Sequence, residues 1–149
     1  MKNLKDTILE KLKVDDIIPD KEKFPIDGKP EEIPRFLKKF NYEEIDKSLD
    51  WEDTINALKH SSRAFSLDDY NNHESFEFFI IDNTSKKYKG QVFYFSGPIN
   101  HYERIKYGEY AIFENINDAI KHEKDHKNGK LLSAVDKEEF MNKLNEIFA

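Results

Sequence analysis

The chain has 149 residues, of which 38% are hydrophobic and 36% charged, with 30 acids against 24 lysines and arginines and no cysteine. That length suits one domain with a core of its own. Without cysteines there are no disulfides, no thiolate catalysis and no Cys-ligated zinc; the net charge of −6 has the sign opposite to that of nucleic-acid binders; and no apolar run approaches the roughly 20 residues that span a bilayer.

Asn3 is placed to cap a helix over residues 4–13, with Leu4, Ile8, Leu9 and Leu12 as its apolar stripe. Acids interrupt that stripe and no small-residue cleavage site follows, so it does not read as a signal peptide. The expected location is the cytoplasm. Pro19, Pro25, Gly28 and Pro30 predict an irregular crossing segment, pinned by Phe24 and Ile26. Pro34 suits the first turn of a short helix through Phe40, with Phe36, Leu37 and Phe40 inward. Asn41 reads as the cap of a helix carrying Ile45 and Leu49. Asp50 with Asp53 makes another capping pair, and Trp51, Ile55 and Leu58 fall on one helix face that runs to about His60. Residues 61–74 have turn chemistry.

Eleven of the 20 aromatic residues lie between Phe76 and Phe113. SFEFFIID (75–82) and QVFYFSG (91–97) read as paired strands, joined by the polar, Gly-ended 83–90. Residues 102–113 predict one or two more strands. Asn115 or Asn117 then caps a helix with Ile116, Ala119 and Ile120 inward, stopped at Asn128-Gly129. Asp136 and Glu139 form a capping box for a last helix over 137–148, with Phe140, Leu144, Ile147 and Phe148 inside. This order predicts a single α+β domain: a central, mainly antiparallel, aromatic-rich sheet packed by N-terminal and C-terminal helices. Its expected core is Trp51, Phe76, Phe78, Ile80, Phe93, Phe95, Ile112 and Phe140.

One stretch matches a catalytic signature. His122-Glu123-Lys124-Asp125-His126 satisfies H-E-x-x-H, in which two imidazoles on one helix face hold zinc and the glutamate acts as base. In these five residues the chain resembles the zincin metallopeptidases. Leu132 stands where the metzincin pattern has a third histidine, and Glu146 is the best-spaced candidate for a gluzincin-type glutamate. The neighbours Lys121, Lys124, Asp125, Lys127 and Asn128 instead describe a charged helix end. At 100° per residue, both histidines fall to one side of the Ile116–Ala119–Ile120 face. The expectation is therefore that His122 and His126 are exposed and metal-free; a small zinc-dependent peptidase is the alternative. His101-Tyr102-Glu103-Arg104 beside Lys106 has the groups for phosphodiester cleavage. On a strand, alternation would separate His101 and Glu103 from Tyr102 and Arg104, which predicts cross-strand charge pairing. His73-Glu74 beside Asp68 and Asp69 lacks the spacing of a calcium loop.

The charge is uneven. Glu43, Glu44, Asp46, Asp50, Glu52, Asp53, Asp68, Asp69 and Glu74 are opposed by only Lys47, Lys59 and Arg63, so residues 43–74 hold the whole −6. These nine acids are the candidate partner-binding residues. A small, acidic, cysteine-free chain with an aromatic sheet and one acidic segment resembles the bacterial immunity proteins of contact-dependent growth inhibition and other polymorphic toxin systems. The resemblance is one of size and character across the chain. It implies a stoichiometric inhibitor with no cofactor, whose partner is a basic toxin domain, a nuclease, steered onto the acidic surface. The substitute docking face is a tyrosine-rich sheet surface around Tyr94, Tyr102, Tyr107 and Tyr110.

Overall fold

The computed structural model describes residues 23–46, 48–70, 74–125 and 134–148. The expected helix over 4–13 and the stop at Asn128-Gly129 lie outside them. Helix α1 (Glu32–Lys39) buries Ile33, Phe36 and Leu37, a spacing of three and four residues that makes one face. Strand β1 (Glu43–Glu44) follows. Helix α2 (Trp51–His60) starts where Asp50 accepts the Asp53 N–H at 2.8 Å, the expected cap. Strands β2 (Arg63–Tyr70), β3 (Ser75–Asp82) and β4 (Val92–Pro98) come next. Helix α3 (His101–Tyr107), strand β5 (Glu109–Phe113), helix α4 (Ile116–Asp125) and helix α5 (Lys137–Phe148) complete the order. Asn115 caps α4 and Asp136 caps α5, each through its Oδ1. None of these helices is long and apolar enough to cross a membrane.

The five strands lie in sequence order, β1 parallel to β2 and the rest an antiparallel meander. The architecture is α+β, as expected. Register puts Phe65, Ile80, Phe93 and Ile112 in one cross-strand row and Leu67, Phe78, Phe95 and Tyr110 in the next. This face packs against Phe24, Ile26, α1 and the Phe140–Leu144 side of α5. The opposite face carries Ala64, Ile81, Val92 and Phe113, then Ser66, Phe79, Tyr94 and Ala111. It packs against Ile55 and Leu58 of α2 and Ala119 of α4. Because helices cover both faces, β3 is apolar almost continuously instead of alternating. Every expected core residue whose side chain is described is buried; Trp51's side chain lies outside that set.

Three expectations fail, two to strand pairing and one to a local helix cap. The helix expected over 41–49 does not form. Asn41 takes a left-handed turn (φ 65°), and the Ile45 N–H donates to Phe65 O at 2.8 Å, so the segment runs beside β2. Residues 63–70, read as turn, form β2 and pair with β3 along their whole length. The polar Ser66 and Asp68 alternate with the inward Phe65 and Leu67, and that alternation outweighs local turn propensity. Residues 101–107, read as strand, are α3. Asn100 caps it by accepting the Glu103 N–H at 3.2 Å.

Candidate functional site

The sheet has a turn end, at the 83–91 connection, and a far end, where β3 begins and β4 finishes. Asp82 organises the turn end. Its buried carboxylate accepts the Tyr42 hydroxyl at 2.7 Å and the Thr84 N–H at 2.8 Å, and pairs with the Arg63 Nε at 3.4 Å. Burial and that hydrogen bond push the Tyr42 phenol far up. Asn83 clamps the last turn of α2 here, since its Nδ2 donates to Ser61 O at 2.6 Å.

Chain direction then distributes the acids. β1 runs parallel to β2, so the chain leaves Glu44 heading for the far end. α2 returns from there to its clamp. Ten helical residues span about 15 Å, close to the roughly 16 Å that β2 climbs from Arg63 to Asp68. Asp50, Glu52 and Asp53, at the start of α2, therefore lie toward the far end, with Asp68, while Asp46 follows Ile45 close to β1. All five are exposed. Asp46 accepts the Ser48 N–H at 2.9 Å, which holds its carboxyl below the usual range. Glu74 is exposed too, and its carbonyl accepts the Ile99 N–H at 2.9 Å, beside the entry to α3. Glu43 and Glu44 sit apart, level with Ala64 and Phe65, and Glu44 pairs with Lys38 at 3.1 Å. The side chain of Asp69 lies outside the described residues.

Three acids at this end, Glu77, Glu103 and Glu109, are not among the nine candidate partner-binding residues. Asp68, Glu77, Ser96 and Glu109 form one cross-strand row. Glu77 is buried and accepts the Tyr94 hydroxyl at 3.0 Å, while Glu109 is exposed, as is Glu103 on α3. Strand alternation between Phe76 and Phe78 was the available signal for the side of Glu77. Glu103 was hidden by reading α3 as a strand.

α3 seats against the far end through Arg104, whose side chain is 1% exposed. Its Nη2 donates to Gly28 O at 2.7 Å, and its guanidinium lies 5.3 Å from the Phe76 ring centroid. Its Nε and Nη1 meet no acceptor among the described residues, and burial pulls its pKa down. The backbones approach closely: a Cβ on Gly97 would meet Gly108 Cα at 3.1 Å, and one on Gly108 would meet Arg104 O at 2.6 Å. His101 and Glu103 stay at the surface while Arg104 turns inward, so these three do not converge as an acid–base set.

The tyrosine-rich sheet surface does not exist. Tyr94 and Tyr110 are buried on opposite faces, and only Tyr102 and Tyr107 are exposed. His122 also departs from expectation. It is 1% exposed, with its ring centroid 5.1 Å from that of Tyr94 and 5.4 Å from that of Phe113. Ile116 and Ile120 face α2 across a cleft of about 310 Å³ that they share with Ile55. Ala119 and His122 are therefore the residues α4 turns to the sheet. The side chains of Glu123 and His126 lie outside the described residues. Among those described, no three His, Asp or Glu side chains are grouped to share a metal ion.

Compared with known proteins, the chain matches no family model, no curated protein and no solved structure.

Proposed function

We propose that this protein is a stoichiometric inhibitor of the immunity type, which neutralises a basic toxin domain, a nuclease, by docking its far end on the toxin. One observation carries the reading. Asp50, Glu52, Asp53, Asp68 and Glu74 are exposed toward one end of the sheet, with exposed Asp46 on the approach to it, and no ion pair among the described residues neutralises any of them. Like charges gathered in this way repel and disfavour the compact state, a cost removed when a cationic surface covers them. Such a field steers a basic partner in quickly and loses its reach as salt shortens the Debye length. The acids also occupy positions that packing does not need, since Ile45, Ile55 and Leu58 carry the burial of this segment.

The test uses the protein encoded by the reading frame directly upstream of this protein's own, which on this reading carries a basic toxin domain; a frame there that encodes none would count against the reading. Glu52→Gln, Asp53→Asn, Asp68→Asn and Glu74→Gln together should keep the fold. Association with the toxin domain should slow about tenfold or more at low salt and respond less to added salt. A wild-type protein that neither binds nor neutralises that domain would remove the reading. A quadruple variant with the wild-type association rate at every salt concentration would remove this docking end.

A further inference from the structure

Four large hydrophobic side chains are exposed among the described residues, and three of them are on the two turns of α3: Tyr102 (80%), Ile105 (54%) and Tyr107 (65%). Single exposed apolar residues are ordinary, whereas a concentration on one short element marks an interaction surface. With Arg104 inward, Tyr102 and Ile105 are neighbours at i, i+3 on the outer side, and Tyr107 stands at i, i+4 from Glu103.

We propose that α3 is the apolar anchor of the docking end. Tyr102 and Ile105 enter a depression on the partner, and the partner surface around the depression is cationic. The inference rests on the inhibitor reading and names what the acids alone leave open, the groups that hold the complex once it has formed. Charge argues for that occupant. Glu103 lies on α3, Glu109 follows it after Gly108, Glu74 adjoins its entry and Asp68 is in the same cross-strand row as Glu109. Against these four acids, the exposed part of α3 offers Lys106 and His101. Hot spots combine buried aromatic anchors with a polar rim that excludes water, and the far end has both parts. The anchor is also preorganised. Asn100 caps the helix, the Gly108 N–H closes on Arg104 O at 2.8 Å, and buried Arg104 pins it to Gly28 and Phe76. Little ordering entropy then remains to be lost on docking.

Anchors and rim charges separate kinetically, because desolvated contacts act on dissociation and rim charges on association. The probe is again the toxin domain from the upstream reading frame, with kinetics read by surface plasmon resonance. Tyr102→Ala/Ile105→Ala should dissociate at least about tenfold faster, with association within about twofold of wild type. Tyr102→Phe, which keeps the ring, should stay within about threefold. Both positions are exposed, so the double variant should melt with wild type, and amide exchange of residues 101–107 should slow in the wild-type complex. Wild-type binding with unchanged dissociation of the double variant overturns the inference and leaves the inhibitor reading standing. No wild-type binding overturns both. Sedimentation of the protein alone separates the remaining occupant: a dimer that the double variant abolishes would assign α3 to a second copy and overturn the proposal.

Discussion

Asp82→Ala tests whether the turn end is built as described, because one carboxylate there joins three pieces of chain. Tyr42 is buried, so its hydroxyl would lose its acceptor out of reach of water, at a cost of about 1–3 kcal/mol. The Thr84 and Ser85 N–H groups, which Asp82 Oδ1 accepts at 2.8 and 3.1 Å, would regain water, and losing such a cap costs about 1 kcal/mol. Arg63 is partly exposed and also donates to Phe40 O at 3.1 Å, so its lost pairing adds only about 0–1 kcal/mol. The total is about 3 kcal/mol, which in a chain of this length lowers the melting temperature by about 6–12 °C. Urea unfolding at equilibrium reads the free energy directly. A cycle with Tyr42→Phe isolates the hydroxyl–carboxylate pair, whose coupling should be about 1–2 kcal/mol. A loss below about 0.5 kcal/mol for Asp82→Ala, or singles that add without coupling, would refute the network.

Two further outcomes follow from packing and titration. Phe78 is fully buried, with ring centroids 4.8 Å from Phe95 and 5.7 Å from Phe24, and Phe93 packs on Tyr88 and Phe140. Phe78→Ala and Phe93→Ala should each cost about 3–5 kcal/mol in urea unfolding, and unchanged midpoints for both would contradict the sheet. Burial raises the phenols of Tyr42 and Tyr110 above their ordinary value. A raised folded-state value gives stability that is intact below the unfolded tyrosine value of about 10 and is lost as pH climbs beyond it. Unfolding midpoints should therefore fall between about pH 9 and pH 11, and fall less in Tyr42→Phe; an equal fall in both proteins would contradict the assignment.

How much could be read in advance depended on whether the signal was local. Capping is local, and Asp50, Asn115 and Asp136 each cap the helix that the chain implied. The aromatic strands 75–82 and 91–97 were also legible, because apolar, β-prone residues bounded by a Gly-ended turn have few other solutions. The α+β class followed from the order of those elements.

What required a partner elsewhere in the chain was not legible. Residues 63–70 carry turn-forming residues and became a strand because Ser75–Asp82 lay ready to pair along their length. Residues 101–107 carry strand-like aromatics and became a helix because Asn100 caps them and Arg104 finds Gly28 O, 76 positions away. His122 fell beside the apolar stripe of its own helix, and only the approach of α2 to Ile116 and Ile120 turned it toward Tyr94. The acids were visible as a composition between residues 43 and 74. Their arrangement was not, because the parallel step from β1 to β2 and the return of α2 separate Glu43 and Glu44 from the acids of the far end. Sequence determines the aromatic strands and the helix starts at Asp50, Asn115 and Asp136, since these depend on neighbours a few positions apart. Position on the surface depends on strand order and direction, which only the packed chain decides.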